Sequence, residues 1–158
     1  MADKRYIVVE GPIGVGKTSM VQMLGEEFGS RVVLEKATEN PFLPRFYTNP
    51  SAFAFQTQMF FLLSRYQQQR ELMQQELFNQ NIVCDYLFAK DRIFASVNLD
   101  EDELILYQQI YSLLDQRIPR PDLVIYLQSP TEVLQQRIRM RGRSYEREIS
   151  REYIEAVN

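Results

Sequence analysis

The chain has 158 residues, with 45% hydrophobic and 25% charged residues, and this size and composition predict a single globular domain over residues 1–158. Its net charge of −3 disfavours a nucleic-acid partner, and its lack of histidine excludes histidine bases and histidine metal ligands. The single cysteine, Cys84, excludes an intrachain disulfide and favours a reducing, cytoplasmic compartment, and no signal peptide or apolar run of membrane length predicts a membrane partner.

Short β-branched segments alternate with helical patterns along the chain. Four buried strands are predicted at 5–10, 32–36, 81–85 and 122–127. Helices are predicted at 17–28, 52–79, 101–117 and 131–141, and residues 150–158 resemble the start of a further helix. This alternation predicts an α/β fold, a parallel sheet flanked by helices on both faces. The glutamines at 67–69 and 74–75 are expected on a solvated face of the long helix.

The segment GPIGVGKT at 11–18 fits the phosphate-loop pattern G-x-x-x-x-G-K-[ST] between a predicted strand and a predicted helix. Its glycines let backbone N–H groups converge on phosphate oxygens, and the helix N-terminus adds partial positive charge. Lys17 can reach the β- and γ-phosphates, and Thr18 can offer a hydroxyl to Mg²⁺. ATP and Mg²⁺ are therefore the expected cofactors, although a glycine-rich turn can match the pattern by chance. The expected nucleotide contacts are Gly11, Ile13, Gly14, Val15, Gly16, Lys17, Thr18 and Ser19.

Two carboxylates are expected where predicted strands end beside this loop. Glu35 is placed to take a proton from an attacking hydroxyl, or it is an ordinary surface glutamate paired with a lysine. Asp85 follows the apolar run 82–84 and suits a magnesium-bound water, or it is a turn aspartate at a strand end.

The long helix carries Gln58 and Arg65 seven residues apart, which places both on one face, separated by roughly 10 Å of helical rise. Phe61 and Leu62 lie between them. Such a stripe suits a flat heterocycle that forms hydrogen bonds. An ordinary amphipathic helix with polar ends is the alternative, and this pattern alone favours it.

A dense basic cluster surrounds Gly142 and contains Arg137, Arg139, Arg141 and Arg143. Arg137 and Arg141 share a helical face, and Gly142 can end the helix so that the chain folds back. Guanidinium groups suit transferring phosphoryl oxygens. A nucleic-acid patch is the competing interpretation, and the net charge together with the following Glu146 and Glu148 disfavours it.

With these motifs in this order, residues 6–153 closely resemble the deoxynucleoside kinase family, the bacterial and mitochondrial kinases for deoxyadenosine, deoxyguanosine and deoxycytidine. The matching segments are GPIGVGKTS at 11–19, LEKATENPF at 34–42, the helix that carries residues 58 and 65, CDYLFAKDRIFA at 84–95 and RIRMRGRSYERE at 137–148. The resemblance implies a P-loop kinase fold with an arginine-rich lid, and a homodimer.

The resemblance also implies a role for individual residues. Glu35 is expected to be the general base for the 5′-hydroxyl, with Asp85 beside it at the substrate and the metal. Around the nucleoside, the implied contacts are Gln58 as a base-recognising amide, Arg65 and Asp91 as a charged pair at the base edge, and Tyr47 and Glu146 at the 3′-hydroxyl. On the donor phosphates, the implied contacts are Arg137 and Arg141, with Arg143 in the same lid motif.

The chain departs from the family pattern in two places. Tyr86 stands where most of the family has an arginine directly after the third-strand carboxylate. Lys90 or Arg139 could compensate for that lost charge. The C-terminal strand and helix of the family are also expected to be missing from this chain.

The sequence therefore predicts a deoxynucleoside kinase that transfers the γ-phosphoryl of ATP to a deoxynucleoside 5′-hydroxyl. Asp91 can accept from an exocyclic amine, which favours adenine, cytosine or guanine over thymine, and deoxyadenosine is the first choice. One alternative is a nucleoside-monophosphate kinase of the thymidylate kinase type. Another is a nucleotide-binding protein without turnover.

Overall fold

A computed structural model describes residues 5–75 and 81–157 of the chain. Its strands are β1 (Tyr6–Glu10), β2 (Arg31–Val33), β3 (Ile82–Cys84) and β4 (Leu123–Tyr126). Its α-helices are α1 (Lys17–Glu27), α2 (Leu43–Thr48), α3 (Pro50–Gln75), α4 (Asp91–Asn98), α5 (Glu101–Asp115), α6 (Thr131–Arg141) and α7 (Arg151–Val157). Short 3₁₀ turns lie at Ala37–Glu39, Phe88–Lys90 and Ser144–Glu148.

The strands form one parallel sheet in the order β2-β3-β1-β4, which confirms the predicted α/β architecture. In the central strand, Val8 pairs with Cys84 on one side and with Val124 on the other. Because the strands are parallel, the carboxyl ends of β1, β2 and β3 meet at one edge. The phosphate loop leaves β1 at this edge, and the candidate site is built there.

The prediction that all four strands are buried is wrong for β4. Leu123 and Val124 are 51% and 42% exposed. The reason is position, since β4 ends the sheet order and pairs only with β1 among the described strands. An apolar β-branched run predicts a strand, but it does not show whether other elements of the fold cover that strand.

The glutamine runs of the long helix were expected in solvent, and this expectation is wrong for two side chains. Gln69 is buried, and its Nε2 donates to the hydroxyls of Tyr6 at 2.9 Å and of Tyr86 at 3.3 Å. Gln68 is also buried and donates to the Leu34 carbonyl at 3.0 Å. These hydrogen bonds tie α3 to the sheet. The last predicted residues of this helix, 76–79, lie outside the described residues.

Two further helices were not predicted, α2 with 6 residues and α4 with 8. Both are too short to show helical periodicity clearly. Helix α4 nevertheless packs with α3 and α5 around a core that includes Leu62, Phe88 and Tyr107. A second core, with Val9, Val21 and Val83 at its centre, joins α1 to the sheet.

None of the helices in the described part of the chain is both long and apolar enough to span a membrane.

Helix α1 packs closely against β2 at Gly25, where no side chain separates the two elements. A Cβ at this position would lie 2.3 Å from Val32 Cγ2, and the β-branched valine cannot easily rotate away. We expect Gly25→Ala to lower the free energy of unfolding by about 1–3 kcal/mol, although alanine is the better helix former. Urea unfolding measures this change.

The double variant Gly25→Ala/Val32→Ala removes the obstructing methyl group. It should therefore be more stable than the sum of the two single changes predicts. Strict additivity would contradict a steric origin of the effect.

Candidate active site

A cavity of about 410 Å³ opens at the carboxyl edge of the sheet, within the size range of small-molecule sites. It brings together most of the predicted site residues. Those that line it are Ile13, Gly14, Gly16, Lys17, Thr18, Ser19, Glu35, Tyr47, Gln58, Arg65, Asp85, Arg137, Arg141, Arg143 and Glu146. Gly11 and Val15 lie within the loop behind this lining, and Asp91 lies behind Arg65.

The phosphate loop has the backbone shape that its glycines permit. Gly14 and Gly16 have φ of 82° and 105°, in the left-handed region. A Cβ on Gly14 would also lie 2.9 Å from Ile138 Cγ1, so the glycine lets α6 pack directly on the loop. Gly16 precedes α1, whose N-terminus therefore faces the cavity.

Lys17 is folded back over the loop. Its Nζ donates to the carbonyls of Gly11 at 2.8 Å and Pro12 at 3.1 Å. Burial and the nearby Lys90 ammonium together lower the pKa of Lys17 to about 8, although the neighbouring carboxylates of Glu10, Glu35 and Asp85 act in the opposite direction. Opposing effects therefore act on the Lys17 pKa, and burial is the largest of them.

Glu10 and Lys90 form a buried ion pair beneath the loop, and the sequence did not predict this pairing. Lys90 Nζ lies 2.5 Å from Glu10 Oε1 and donates to the Gly11 carbonyl at 2.7 Å. The same carboxylate accepts from the backbone N–H groups of Gly11 at 2.7 Å and Leu87 at 2.9 Å. An acidic residue that ends a buried strand directly before the loop was the available signal.

Asp85 follows β3 directly and connects two parts of the site. Its Oδ2 accepts from Thr18 Oγ1 at 2.9 Å, and its Oδ1 accepts from the backbone N–H of Glu35 at 2.7 Å. Burial raises the pKa of Asp85, and these hydrogen bonds oppose that effect. The carboxylate therefore fixes the start of α1 relative to the segment that carries Glu35.

Glu35 was expected at the end of the second strand, but β2 ends at Val33 and Glu35 lies two residues beyond it. Its carboxylate accepts hydrogen bonds from Arg65, from Nε at 2.8 Å and from Nη2. Burial alone would raise the pKa of Glu35, but the Arg65 guanidinium, with Lys90 and Lys17, holds it below its ordinary value. Glu35 is therefore an ionised carboxylate in the cavity wall at neutral pH.

Arg65 is nearly inaccessible, with 8% of its side chain exposed. Its Nη1 donates to Asp91, so one guanidinium joins two carboxylates, and the carboxylates raise its pKa although burial acts to lower it. The rings of Phe61 and Tyr86 flank the guanidinium, with centroids 4.9 and 6.0 Å from Cζ.

The two residues that could replace the family arginine lie in different places. Lys90 lies under the phosphate loop, bonded to Glu10, whereas the exposed Arg139 does not line the cavity. Tyr86 itself is buried, with its ring against Arg65 and its hydroxyl accepting from Gln69. Within the described residues, Arg65 is the cation that directly bonds Glu35.

Two buried polar atoms in the cavity wall have no partner among the described residues, Gln58 Oε1 and Thr57 Oγ1. Gln58 is 3% exposed and Thr57 1% exposed, and both side chains line the cavity. Because a buried acceptor without a partner is costly, these atoms indicate where a polar ligand forms hydrogen bonds. Thr57 was not predicted, since a single threonine in a helix carries no pattern.

The arginine-rich segment follows the predicted form, and Gly142 ends α6 with a φ of 70°. Glu146 accepts from Arg141 Nε at 3.0 Å and Nη2 at 2.5 Å, and from Arg143 Nη1 at 3.3 Å. Arg137 Nη1 donates to the Val15 carbonyl of the phosphate loop at 2.8 Å. Arg137 thus contacts the loop, whereas Glu146 offsets part of the positive charge of Arg141 and Arg143.

Tyr47 on α2 connects the lid to the rest of the cavity. Its ring stacks on Tyr145 at 6.1 Å between centroids and meets Tyr153 edge-on at 6.4 Å. Burial and the neighbouring Tyr153 and Glu146 raise the pKa of Tyr47, so its hydroxyl stays protonated. It can therefore donate a hydrogen bond within the cavity, beside Glu146.

Comparisons with known proteins give matches over nearly the whole chain. The family model for deoxynucleoside kinase matches residues 7–158. Deoxyguanosine kinase of Bacillus subtilis is 38% identical over 153 residues, which cover 96% of this chain and 74% of that protein. Deoxyadenosine kinase of Dictyostelium discoideum is 33% identical over 153 residues, which cover 95% of this chain but only 62% of that longer protein.

The fold agrees as well. The solved structure of a deoxyadenosine kinase from M. mycoides with bound dATP superposes with a TM-score of 0.84 at 29% identity. The match covers 98% of this chain and 80% of that one.

The lowered pKa of Lys17 predicts that the affinity for ATP falls as the pH rises through about 8. Lys17 carries its charge below this pKa and loses it above, whereas an ordinary lysine stays charged to about 10.5. Calorimetric titration with MgATP from about pH 7 to about pH 10 should show a loss that approaches about tenfold per pH unit. An affinity that stays constant over this range would contradict the assignment of Lys17 to the phosphates.

Proposed function

The chain belongs to the deoxynucleoside kinase family, which makes it an ATP-dependent phosphotransferase, and we propose that it phosphorylates the 5′-hydroxyl of a deoxynucleoside, with deoxyadenosine favoured. One observation carries this proposal. The same cavity is lined by Lys17 of the phosphate loop, by the ionised Glu35 and by Gln58, whose amide oxygen has no partner among the described residues. Family membership also favours it over the thymidylate kinase type and over a nucleotide-binding protein without turnover.

At the donor end, the positive groups that line the cavity are expected to stabilise the charge on the transferring phosphoryl. Lys17 would exchange its loop carbonyls for the β- and γ-phosphates. Arg137, Arg141 and Arg143 line the same cavity, where guanidinium groups can stabilise the phosphoryl oxygens during the reaction. Positioning and charge stabilisation provide most of the catalysis in such transfers.

At the acceptor end, Glu35 is proposed as the general base. The 5′-oxygen forms a bond to the γ-phosphorus, the bond from that phosphorus to the β–γ bridging oxygen breaks, and the 5′-hydroxyl proton moves to the Glu35 carboxylate. The low pKa of Glu35 keeps the carboxylate free to accept this proton at neutral pH. A weak base suffices, because a loose transition state leaves the hydroxyl proton in place until late.

Thr18 and Asp85 are the residues proposed to hold Mg²⁺. Their hydroxyl and carboxylate oxygens already lie 2.9 Å apart, and both line the cavity. A hard oxygen pair of this kind suits Mg²⁺, which commonly takes one or two protein oxygens and completes its shell with phosphates and water. When bound, the ion neutralises charge on the β- and γ-phosphate oxygens.

The preference for deoxyadenosine is proposed from Gln58. Its amide can accept from an exocyclic amine and donate to a neighbouring ring nitrogen, which is the pattern that adenine presents. Asp91 does not line the cavity, so it would influence the base through Arg65 and not by direct contact. Relatives of this chain include both a deoxyguanosine kinase and a deoxyadenosine kinase, so a comparison of substrates decides between the purines.

A homodimer is also proposed, as the resemblance implies. Helix α5 exposes Ile105, Leu106 and Leu113, which are 52%, 47% and 68% accessible. A second copy of the chain would cover such an apolar face.

Replacing Glu35 with glutamine tests the proposed base. The amide keeps an oxygen for Arg65 but cannot take a proton, so kcat should fall by about 10²–10⁴-fold while the KM for deoxyadenosine changes little. Steady-state kinetics measures both. Glu39→Gln is the matched control, because Glu39 is 60% exposed and pairs only loosely with Lys36 at 3.8 Å.

Two outcomes would reject this role. A higher KM for deoxyadenosine with an unchanged kcat would assign Glu35 to substrate binding. An equal loss in Glu39→Gln would point to a general effect of the lost charge.

Substrate choice is expected to depend on Gln58, Arg65 and Asp91. Arg65→Ala leaves two carboxylates without their cation, whereas in Asp91→Ala the arginine keeps Glu35, so Arg65→Ala should be the more damaging. The double variant should lose much less than the sum of the single losses. It should also discriminate less between bases.

The measurement is kcat/KM for deoxyadenosine, deoxyguanosine, deoxycytidine and thymidine in the wild type and the three variants. The melting temperature of each variant separates lost recognition from lost folding. If the ranking of the four substrates stays the same throughout, these residues do not read the base.

A further inference from the structure

Three helices meet at Asp91, and this gives it a position unlike that of the other predicted site residues. Asp91 is the first residue of α4, it is completely buried, and it lies outside the cavity lining. One of its oxygens accepts from Arg65 Nη1 on α3, and the other accepts from the Tyr107 hydroxyl on α5. Asp91 therefore affects the cavity through Arg65, and Tyr107 fixes the opposite side of its carboxylate.

Tyr107 is itself held rigidly. It is completely buried and packs in a core with Leu62, and its ring stacks on Tyr111 at 6.1 Å. The helix that carries it begins with a capping box, in which Asp100 accepts from the Glu103 backbone N–H at 2.9 Å and the Glu103 carboxylate accepts in return. Because both its ring and its helix are fixed, the Tyr107 hydroxyl is a fixed donor to Asp91.

We propose that Tyr107 is a positioning residue for base recognition, whose hydroxyl orients Asp91 and, through Asp91, the guanidinium of Arg65 that faces the nucleoside base. This inference rests on the proposed function and deepens it. It adds a residue outside the cavity to the set that determines substrate choice.

The contacts around Arg65 indicate which kinetic constant depends on Tyr107. Glu35 holds Nε and Nη2 of Arg65, and Asp91 holds Nη1. Without the Tyr107 hydroxyl, the Glu35 contacts remain and only the Asp91 end of the guanidinium loosens. Base binding should therefore weaken while the arrangement of the general base persists.

Burial of Asp91 supports the need for a second donor. Burial raises the pKa of this carboxyl, and the hydrogen bonds from Arg65 and Tyr107 oppose the rise. A buried carboxylate oxygen that loses its donor is costly, so Asp91 is expected to reorient when the hydroxyl is removed.

Tyr107→Phe tests the proposal, and Tyr111→Phe is its matched control. Both changes remove one hydroxyl from the same helix, but the Tyr111 hydroxyl bonds to Asp115 at 3.1 Å, away from the cavity lining. In Tyr107→Phe the KM for deoxyadenosine should rise about tenfold, because a hydrogen bond to a charged group is lost. Its kcat should stay close to that of the wild type, and its ranking of the four deoxynucleosides should change. Tyr111→Phe should keep the wild-type values.

Equal kinetic effects in the two variants, or a fall in kcat at constant KM, would overturn the proposal. The double variant Tyr107→Phe/Asp91→Ala adds a second test. If Tyr107 acts through Asp91, removing its hydroxyl has no further effect on KM in the Asp91→Ala background, and a full additional loss would reject this route.

Different results would reject the proposed function and the proposed role of Tyr107. Wild-type protein that turns over no deoxynucleoside rejects the proposed function. In that case, calorimetric titration of deoxyadenosine into wild type, Tyr107→Phe and Tyr111→Phe still tests the inference. It requires weaker binding to Tyr107→Phe alone, and equal binding to all three, or binding to none, would overturn it.

Discussion

The buried guanidinium of Arg65 is the interaction on which the site depends. It joins Glu35, from the segment after β2, to Asp91 at the start of α4, while its own helix supplies the wall of the cavity. A charge this deep is tolerable only with its partners in place, because removing one leaves an uncompensated buried ion. Glu35, the proposed general base, and Asp91, which is proposed to influence nucleobase recognition, therefore share one cation, Arg65.

The phosphate loop rests on a second group of charges at the same sheet edge. Lys90 and Glu10 form a pair under the Gly11 peptide, and Asp85 joins Thr18 to the backbone of Glu35. Parallel strands bring these residues together, because their carboxyl ends coincide. Hydrogen bonds to Asp85 thus fix the start of α1 relative to the segment that carries Glu35. This arrangement suits a reaction in which positioning and charge stabilisation provide most of the rate.

The sequence predicts the parts of this molecule that depend on local pattern. The glycine spacing of the phosphate loop, the parallel sheet and the lid helix ending at Gly142 all follow from residues that are neighbours in the chain. Burial of Gln69 does not, because its tyrosine partners lie far away in sequence. The ion pairs of Lys90 with Glu10 and of Asp91 with Arg65 also join residues that are far apart in the sequence, so the local pattern does not show them. In the sequence, Tyr86 shows only that the family arginine is absent at this position. In the structure, its ring flanks the guanidinium of Arg65, the residue that bonds Glu35.

The most direct test of the shared cation is the pKa of Glu35, measured by carbon NMR on protein labelled at the glutamate carboxyl carbon and assigned with Glu35→Gln. In the wild type this pKa should lie below the ordinary value of 4.5, because Arg65 outweighs burial. Arg65→Met keeps the length of the side chain without its charge, and burial should then raise the Glu35 pKa above that of the wild type. An identical Glu35 pKa in the two proteins would contradict the account.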